Sequence, residues 1–153
     1  SAVTGLSLTF YNGTKTAQAN TLSLRLKITN TGTEAIDLSD VKLHYYYTKD
    51  GSQSQTFWCD WSHVGSSNVT GNFIALAAPK ADADNYLEIG FTAAAGSLAV
   101  NQSIEIQIRV AKADWSNYTQ TNDYSFHESA DSYVPWEKIT TYVSNILSSG
   151  IEP

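Results

Sequence analysis

Ile104-Glu105-Ile106-Gln107-Ile108-Arg109-Val110 alternates apolar and polar side chains without a break. Successive side chains of an extended strand point to opposite faces, so this stretch predicts a strand with the isoleucines and Val110 inward. Gln107 and Arg109 then project from the other face, about 7 Å apart along the chain. The same period recurs on both sides of it. Leu6, Leu8 and Phe10 alternate with Ser7 and Thr9; Leu22, Leu24, Leu26 and Ile28 with Ser23, Arg25 and Lys27. Leu43, Tyr45 and Tyr47 alternate with Lys42, His44 and Tyr46; Leu87, Ile89 and Phe91 with Glu88 and Gly90. Turn chemistry separates the runs at Asn12-Gly13, Asn30-Thr31-Gly32, Asp50-Gly51, Gly65-Ser66-Ser67-Asn68 and Gly71-Asn72. Trp136 to Leu147 is the one stretch near helical spacing, but Ile139-Thr140-Thr141-Tyr142-Val143 are strand formers, which predicts a strand there as well. Many short strands at close spacing predict an all-β, two-sheet antiparallel β-sandwich or jelly roll, one module over residues 1–153.

The chain has 153 residues, 15 acidic against nine basic ones, and a net charge of -6. Ser, Thr, Asn and Gln together number 50, against 24 charged side chains, so the surface is polar but mostly uncharged. So few cations make nucleic acid a poor partner, because that affinity rests on displacing counterions from phosphates. Binding to a membrane surface through basic residues fails for the same reason, and no apolar run is long enough to cross a bilayer. Nothing reads as a secretion leader, which leaves a cytosolic chain or a trimmed piece of an exported one. The single cysteine, Cys59, excludes an internal disulfide and reads as a small buried hydrophobe.

The residues offer little for catalysis. His44, His63 and His127 lack the spacing of a metal pair, no serine elbow or HExxH motif is present, and the carboxylates are scattered singly. Two oxygen-rich clusters stand out, Thr48-Lys49-Asp50-Gly51 and Thr119-Gln120-Thr121-Asn122-Asp123. Calcium takes about six to eight such oxygens from loops, but on spacing alone both clusters read more readily as turns.

The 18 aromatic residues carry a different signal. Most belong in strands and core, Trp58 and Tyr118 among them. In a plain strand Trp58 and Asp60 share one face and Trp61 takes the other, so the two tryptophans of Trp58-Cys59-Asp60-Trp61 cannot both be buried. Trp115 sits in a polar stretch, Ala113-Asp114-Trp115-Ser116-Asn117-Tyr118, with poor core patterning. Exposed tryptophans beside Asp, Arg and Gln suit a sugar: rings stack on the apolar face of a pyranose while polar groups bond its rim. A guanidinium held flat by a carboxylate acts as a further plate. Aromatics lined up on a flat sheet match a flat crystalline polysaccharide better than a soluble oligosaccharide.

Tyr45-Tyr46-Tyr47-Thr48-Lys49-Asp50-Gly51, Gln55-Thr56-Phe57-Trp58-Cys59-Asp60 and the run from Arg109 through Asp114-Trp115-Ser116-Asn117-Tyr118-Thr119-Gln120 to Asn122-Asp123-Tyr124-Ser125-Phe126 resemble the family 3 carbohydrate-binding modules. The likeness extends from Leu6 to Pro153. It implies a nine-stranded jelly-roll sandwich that binds crystalline cellulose and performs no chemistry, as a monomeric extracellular module tethered within a larger bacterial polypeptide. It implies a structural calcium ion held by Thr48 and Asp50 from one loop and by Thr119, Asn122 and Asp123 from the other. The stacking strip it implies is Asp60 paired with Arg109, then Trp61 and Trp115, with Gln107 and Tyr124 as anchors to a neighbouring glucan chain. Two departures matter: Trp61 stands where many members have histidine, and the loop that usually supplies a strip tyrosine is shortened to His63-Val64-Gly65-Ser66-Ser67. Retention of Asp60, Arg109 and Trp115 argues against the strip-less group of the family. An alternative use of the same fold is a groove around Tyr45, Tyr46 and Tyr47 that takes a linker peptide or a neighbouring glycosidase domain.

Overall fold

The computed structural model describes residues 5–153. Among these, nine strands have four or more residues: β1 (Leu6–Asn12), β2 (Thr21–Asn30), β3 (Val41–Tyr47), β4 (Gln55–Ser62), β5 (Val69–Lys80), β6 (Ala83–Phe91), β7 (Ser103–Lys112), β8 (Ile139–Val143) and β9 (Ile146–Ser149). They form two antiparallel sheets ordered β1-β2-β7-β4 and β9-β8-β3-β6-β5, with the short Val134–Pro135 strand flanking β1 in the first. The nine-stranded jelly-roll sandwich is therefore the fold. Alternation does what the sequence predicts: Leu24, Leu26, Ile28, Ile104, Ile106 and Ile108 of the first sheet meet Leu43, Tyr45, Leu87 and Ile89 of the second in one core.

Two local predictions are corrected. Gly71-Asn72 is no turn; both residues lie inside the twelve-residue strand β5. A β-carbon at Gly71 would stand 2.3 Å from the Phe57 ring, so glycine is required because the ring of the facing sheet's edge strand rests on this backbone. Gly71→Ala must displace Phe57; we expect it to destabilise the fold by about 1–3 kcal/mol, read by thermal melting. The predicted strand from Trp136 to Leu147 is a hairpin instead. Ser144 and Asn145, at φ 50° and 66°, form the two-residue loop between the cross-strand partners Val143 and Ile146. Two consecutive left-handed residues make the primed turn whose twist suits a hairpin.

The first sheet keeps a broad outer face. Its cross-strand register places Tyr11, Arg25, Gln107 and Trp61 in one row and Ser23, Arg109 and Trp58 in the next.

Candidate functional site

The outer face of β4 and β7 is shaped by an irregularity. Opposite β7, Gln107 pairs with Trp61 and Ile108 with Cys59, so Asp60 is one residue too many for the ladder. Such a bulge shifts the parity of everything beyond it. Trp58 and Trp61, three apart in sequence, consequently both face outward with Arg109 and Gln107, and only Cys59 between them turns toward the core. The expectation that Trp61 lies on the face opposite Trp58 is corrected by this extra residue. Cys59 is half-buried, and burial pushes its thiol above its ordinary range.

The bulged Asp60 is thereby turned to Arg109. The guanidinium Nε donates to Asp60 Oδ2 at 2.7 Å, and its carbon lies 5.2 Å from the centre of the Trp58 ring. Trp115 lies 5.8 Å from Trp58 with the ring planes only 13° apart. On the other side of the ion pair, Trp61 meets His63 edge-on at 4.7 Å. Trp61 and Trp115 are 42% and 50% exposed, which separates them from every tryptophan that serves the core. Trp58, assigned to packing from the sequence, is half-buried and supports both Arg109 and Trp115; its part in the platform was hidden by the bulge. Tyr118 is fully buried, as its assignment to packing requires.

Trp115 is held at φ 58°, a left-handed conformation unusual for a bulky side chain. The turn is closed by the Trp115 amide donating to the Lys112 carbonyl. Asp114 Oδ1 accepts from the amide and hydroxyl of Ser116, and those bonds hold Asp114 below the usual carboxylate range. Strain of this kind is kept where a side chain must be aimed.

Of the two anchors, Gln107 lies beside Trp61 on this face, where its side-chain oxygen accepts from Arg25 Nη1 at 2.7 Å. Tyr124 does not join it. Its hydroxyl donates to the Ile151 carbonyl and its ring meets Tyr46 edge-on, on the outer side of the second sheet. The sequence placed both residues on one surface; the sandwich separates them. Tyr46, His44 and Tyr86 line a cavity of about 270 Å³ on that opposite surface together with Glu152 and Pro153, and Tyr142 and Glu88 contact His44 beside it. Of the three consecutive tyrosines only Tyr46 faces it, since Tyr45 and Tyr47 are fully buried on the inner side of β3.

Of the five residues read from the two loops, Thr48, Asp50, Asn122 and Asp123 bring side-chain oxygens together, while Thr119 joins through its amide and its hydroxyl accepts from Gln18. Thr48 Oγ1 lies 2.9 Å from Asn122 Oδ1 and Asp123 Oδ1 and 3.3 Å from Asp50 Oδ1. The Thr119 amide donates to Asp50 Oδ2, and the Thr48 amide to Asp123 Oδ1. Asp123 Oδ2 is buried with no hydrogen-bond partner. Desolvation pushes the Asp123 carboxyl up to about 7, with the charges of Asp50 and Asp84 adding to the rise. The side-chain donors of this set are all oxygens, with no imidazole or thiolate among them, which is the chemistry of a hard cation rather than of a transition metal. An orphaned, half-neutralised carboxylate inside an oxygen cluster fits such an ion.

The sign of the pH effect follows. In the metal-free protein Asp123 has a folded pKa above its unfolded value of 3.8, so the folded state binds more protons between the two. The stability contributed by Asp123 should therefore fall as pH rises from about 4 to about 7 in chelator, while His44, whose pKa burial lowers, contributes the opposite slope below its ordinary value of 6.5. A calcium ion held by the Asp123 carboxylate would bind up to tenfold more tightly per pH unit across the same window, because it displaces the proton. Calorimetry of the parent and Asp123→Asn with chelator or calcium at pH 5 and 8 checks both; a parent-minus-variant difference in calcium-free stability that climbs from pH 5 to 8 would contradict the assignment.

Comparison with known proteins agrees with this geometry. The family model described as "Cellulose binding domain" matches residues 7–150. A solved module of the major scaffoldin ScaA from Acetivibrio cellulolyticus is 54% identical, covers 97% of both chains and superposes with a TM-score of 0.95. A biomass-sensing module of an Rsgi-like protein from Clostridium thermocellum is 42% identical, with a TM-score of 0.96 over 99% of this chain and all of that one. A xyloglucanase from a Paenibacillus species is 53% identical over 148 residues, 97% of this chain but 14% of that protein. The chain spans a small fraction of the curated relatives it matches. It is a noncatalytic carbohydrate-binding module and belongs to the family 3 cellulose-binding domains.

Proposed function

We propose that the module adsorbs to crystalline cellulose through the outer face of its first sheet. The observation that carries this reading is the row formed by Trp115, Trp58 and the Arg109–Asp60 pair, with Trp61 beyond it. Each plate covers the apolar face of a glucose unit, while Gln107 and the free edges of the ion pair bond hydroxyls. Trp61 supplies the stacking surface that the shortened loop after His63 does not. A structural calcium ion would be held by Thr48, Asp50, Thr119, Asn122 and Asp123. When bound it supplies positive charge to the carboxylates of Asp50 and the buried Asp123. The module would act outside the bacterial cell, monomeric and tethered to an enzyme, scaffoldin or sensor, which the multidomain relatives support.

Isotherms on microcrystalline cellulose, amorphous cellulose and soluble cello-oligosaccharides test this. Preferential binding to the crystalline form is the expected result; equal or stronger binding to soluble chains would overturn it. The tyrosine surface on the second sheet is a weaker candidate for an external peptide. Residues 151 and 152 already lie along it, with Tyr142 donating to Glu152 Oε2 at 2.7 Å and Tyr124 to the Ile151 carbonyl.

A further inference from the structure

Lys112, at the end of β7, is 2% exposed and makes no ion pair among the described residues. A buried ammonium is expensive unless it is fully bonded. Its bonds are specific. Nζ donates to the Asp50 carbonyl at 2.8 Å and to the Asn117 carbonyl at 3.1 Å, and it lies 4.7 Å from the centre of the Tyr118 ring. Asn117 closes the loop that carries Trp115, and the carbonyl of Lys112 itself accepts the Trp115 amide. The lysine therefore grips the Trp115 loop at both ends.

The other partner, Asp50, belongs to the oxygen cluster. Its carbonyl faces Lys112 while its carboxylate faces Thr48 and the Thr119 amide. Asp50 itself sits at φ 57°, so the two groups are fixed in opposed directions by a constrained backbone. Two further bonds tie the same segments together: the Ala113 amide to the Ser54 carbonyl and Gln53 Nε2 to Asp114 Oδ2. A shift of the Asp50 backbone moves the anchor of the Trp115 loop.

We propose that Lys112 is a positioning residue that links the cation site to the cellulose platform, so that occupancy at Asp50 sets the orientation of Trp115. The proposal rests on the ion and platform readings above, and its test separates them. The protein is labelled with 5-fluorotryptophan, the Trp115 resonance is assigned with W115F, and calcium is titrated into the chelated protein. A calcium-dependent shift at Trp115 that is absent in K112M, while calorimetry still detects calcium binding to K112M, supports the link. Adsorption to crystalline cellulose should weaken roughly fivefold or more on chelation in the parent and be weak but calcium-insensitive in K112M. A Trp115 resonance that does not move with calcium in the parent, or moves equally in K112M, overturns it, as does the absence of any calcium heat. Should K112M fail to fold, K112Q, whose shorter amide cannot donate to both carbonyls at once, takes its place with the same two outcomes. Loss of cellulose adsorption by the parent would overturn the platform reading and leave the resonance shift to judge the link.

Discussion

Joint replacement of Trp61 and Trp115 by alanine is expected to abolish adsorption to microcrystalline cellulose and to leave the fold standing. Both indoles are about half exposed, so little core is lost with them. The main structural loss is the near-parallel contact of Trp115 with Trp58, worth about 1 kcal/mol by analogy with other aromatic pairs. The binding loss is larger. Base-on-ring stacking gives about 1–3 kcal/mol per aromatic, and two rings on that scale lower affinity by roughly 30-fold to about 25,000-fold. A useful control is Trp115→Gly, which removes the same plate but relaxes the left-handed backbone. It should match W115A in lost adsorption while melting higher. Retained adsorption in the double variant, at unchanged melting temperature, would remove the strip from the account.

Asp123→Asn is expected to reverse the order of parent and variant between chelator and calcium. The amide oxygen can still accept from the Thr48 amide and hydroxyl, while the uncompensated charge beside Asp50 and Asp84 is gone. In chelator at pH 8 the variant should therefore melt at or above the parent. With calcium at a hundredfold excess over its dissociation constant, the parent gains about 2.7 kcal/mol. For a domain of this size that corresponds to roughly 5–10 °C, a gain the variant should lack. Thermal melts of both proteins with and without calcium measure it. Equal calcium stabilisation of parent and variant would place the ion elsewhere.

Alternation made the sandwich legible, because β2 along its whole length and β7 as far as Val110 bury one face and leave the other partly open. Where reading stopped, the missing information was in a partner. Gly71 looks like a turn residue until Phe57 is seen to occupy the space of its side chain. Ser144-Asn145 carries no glycine, so only strand pairing reveals the hairpin. Trp61, Arg109 and Trp115 were identifiable as a binding set from residue type and family likeness, but their common face depends on a register that β4 cannot announce alone. Tyr124 shows the opposite failure. A likeness can carry a role across sequences without carrying the side of the sandwich on which the residue lands.

The surplus residue at Asp60 has a consequence for how this surface can change over time. Loss of one codon there would leave both indoles on the surface, because Trp58, Cys59 and Trp61 would then run in plain odd–even order against Arg109, Ile108 and Gln107. What would vanish is the carboxylate that steadies the Arg109 guanidinium. A single-codon deletion at this position thus strips the ionic plate from the surface while sparing its rings.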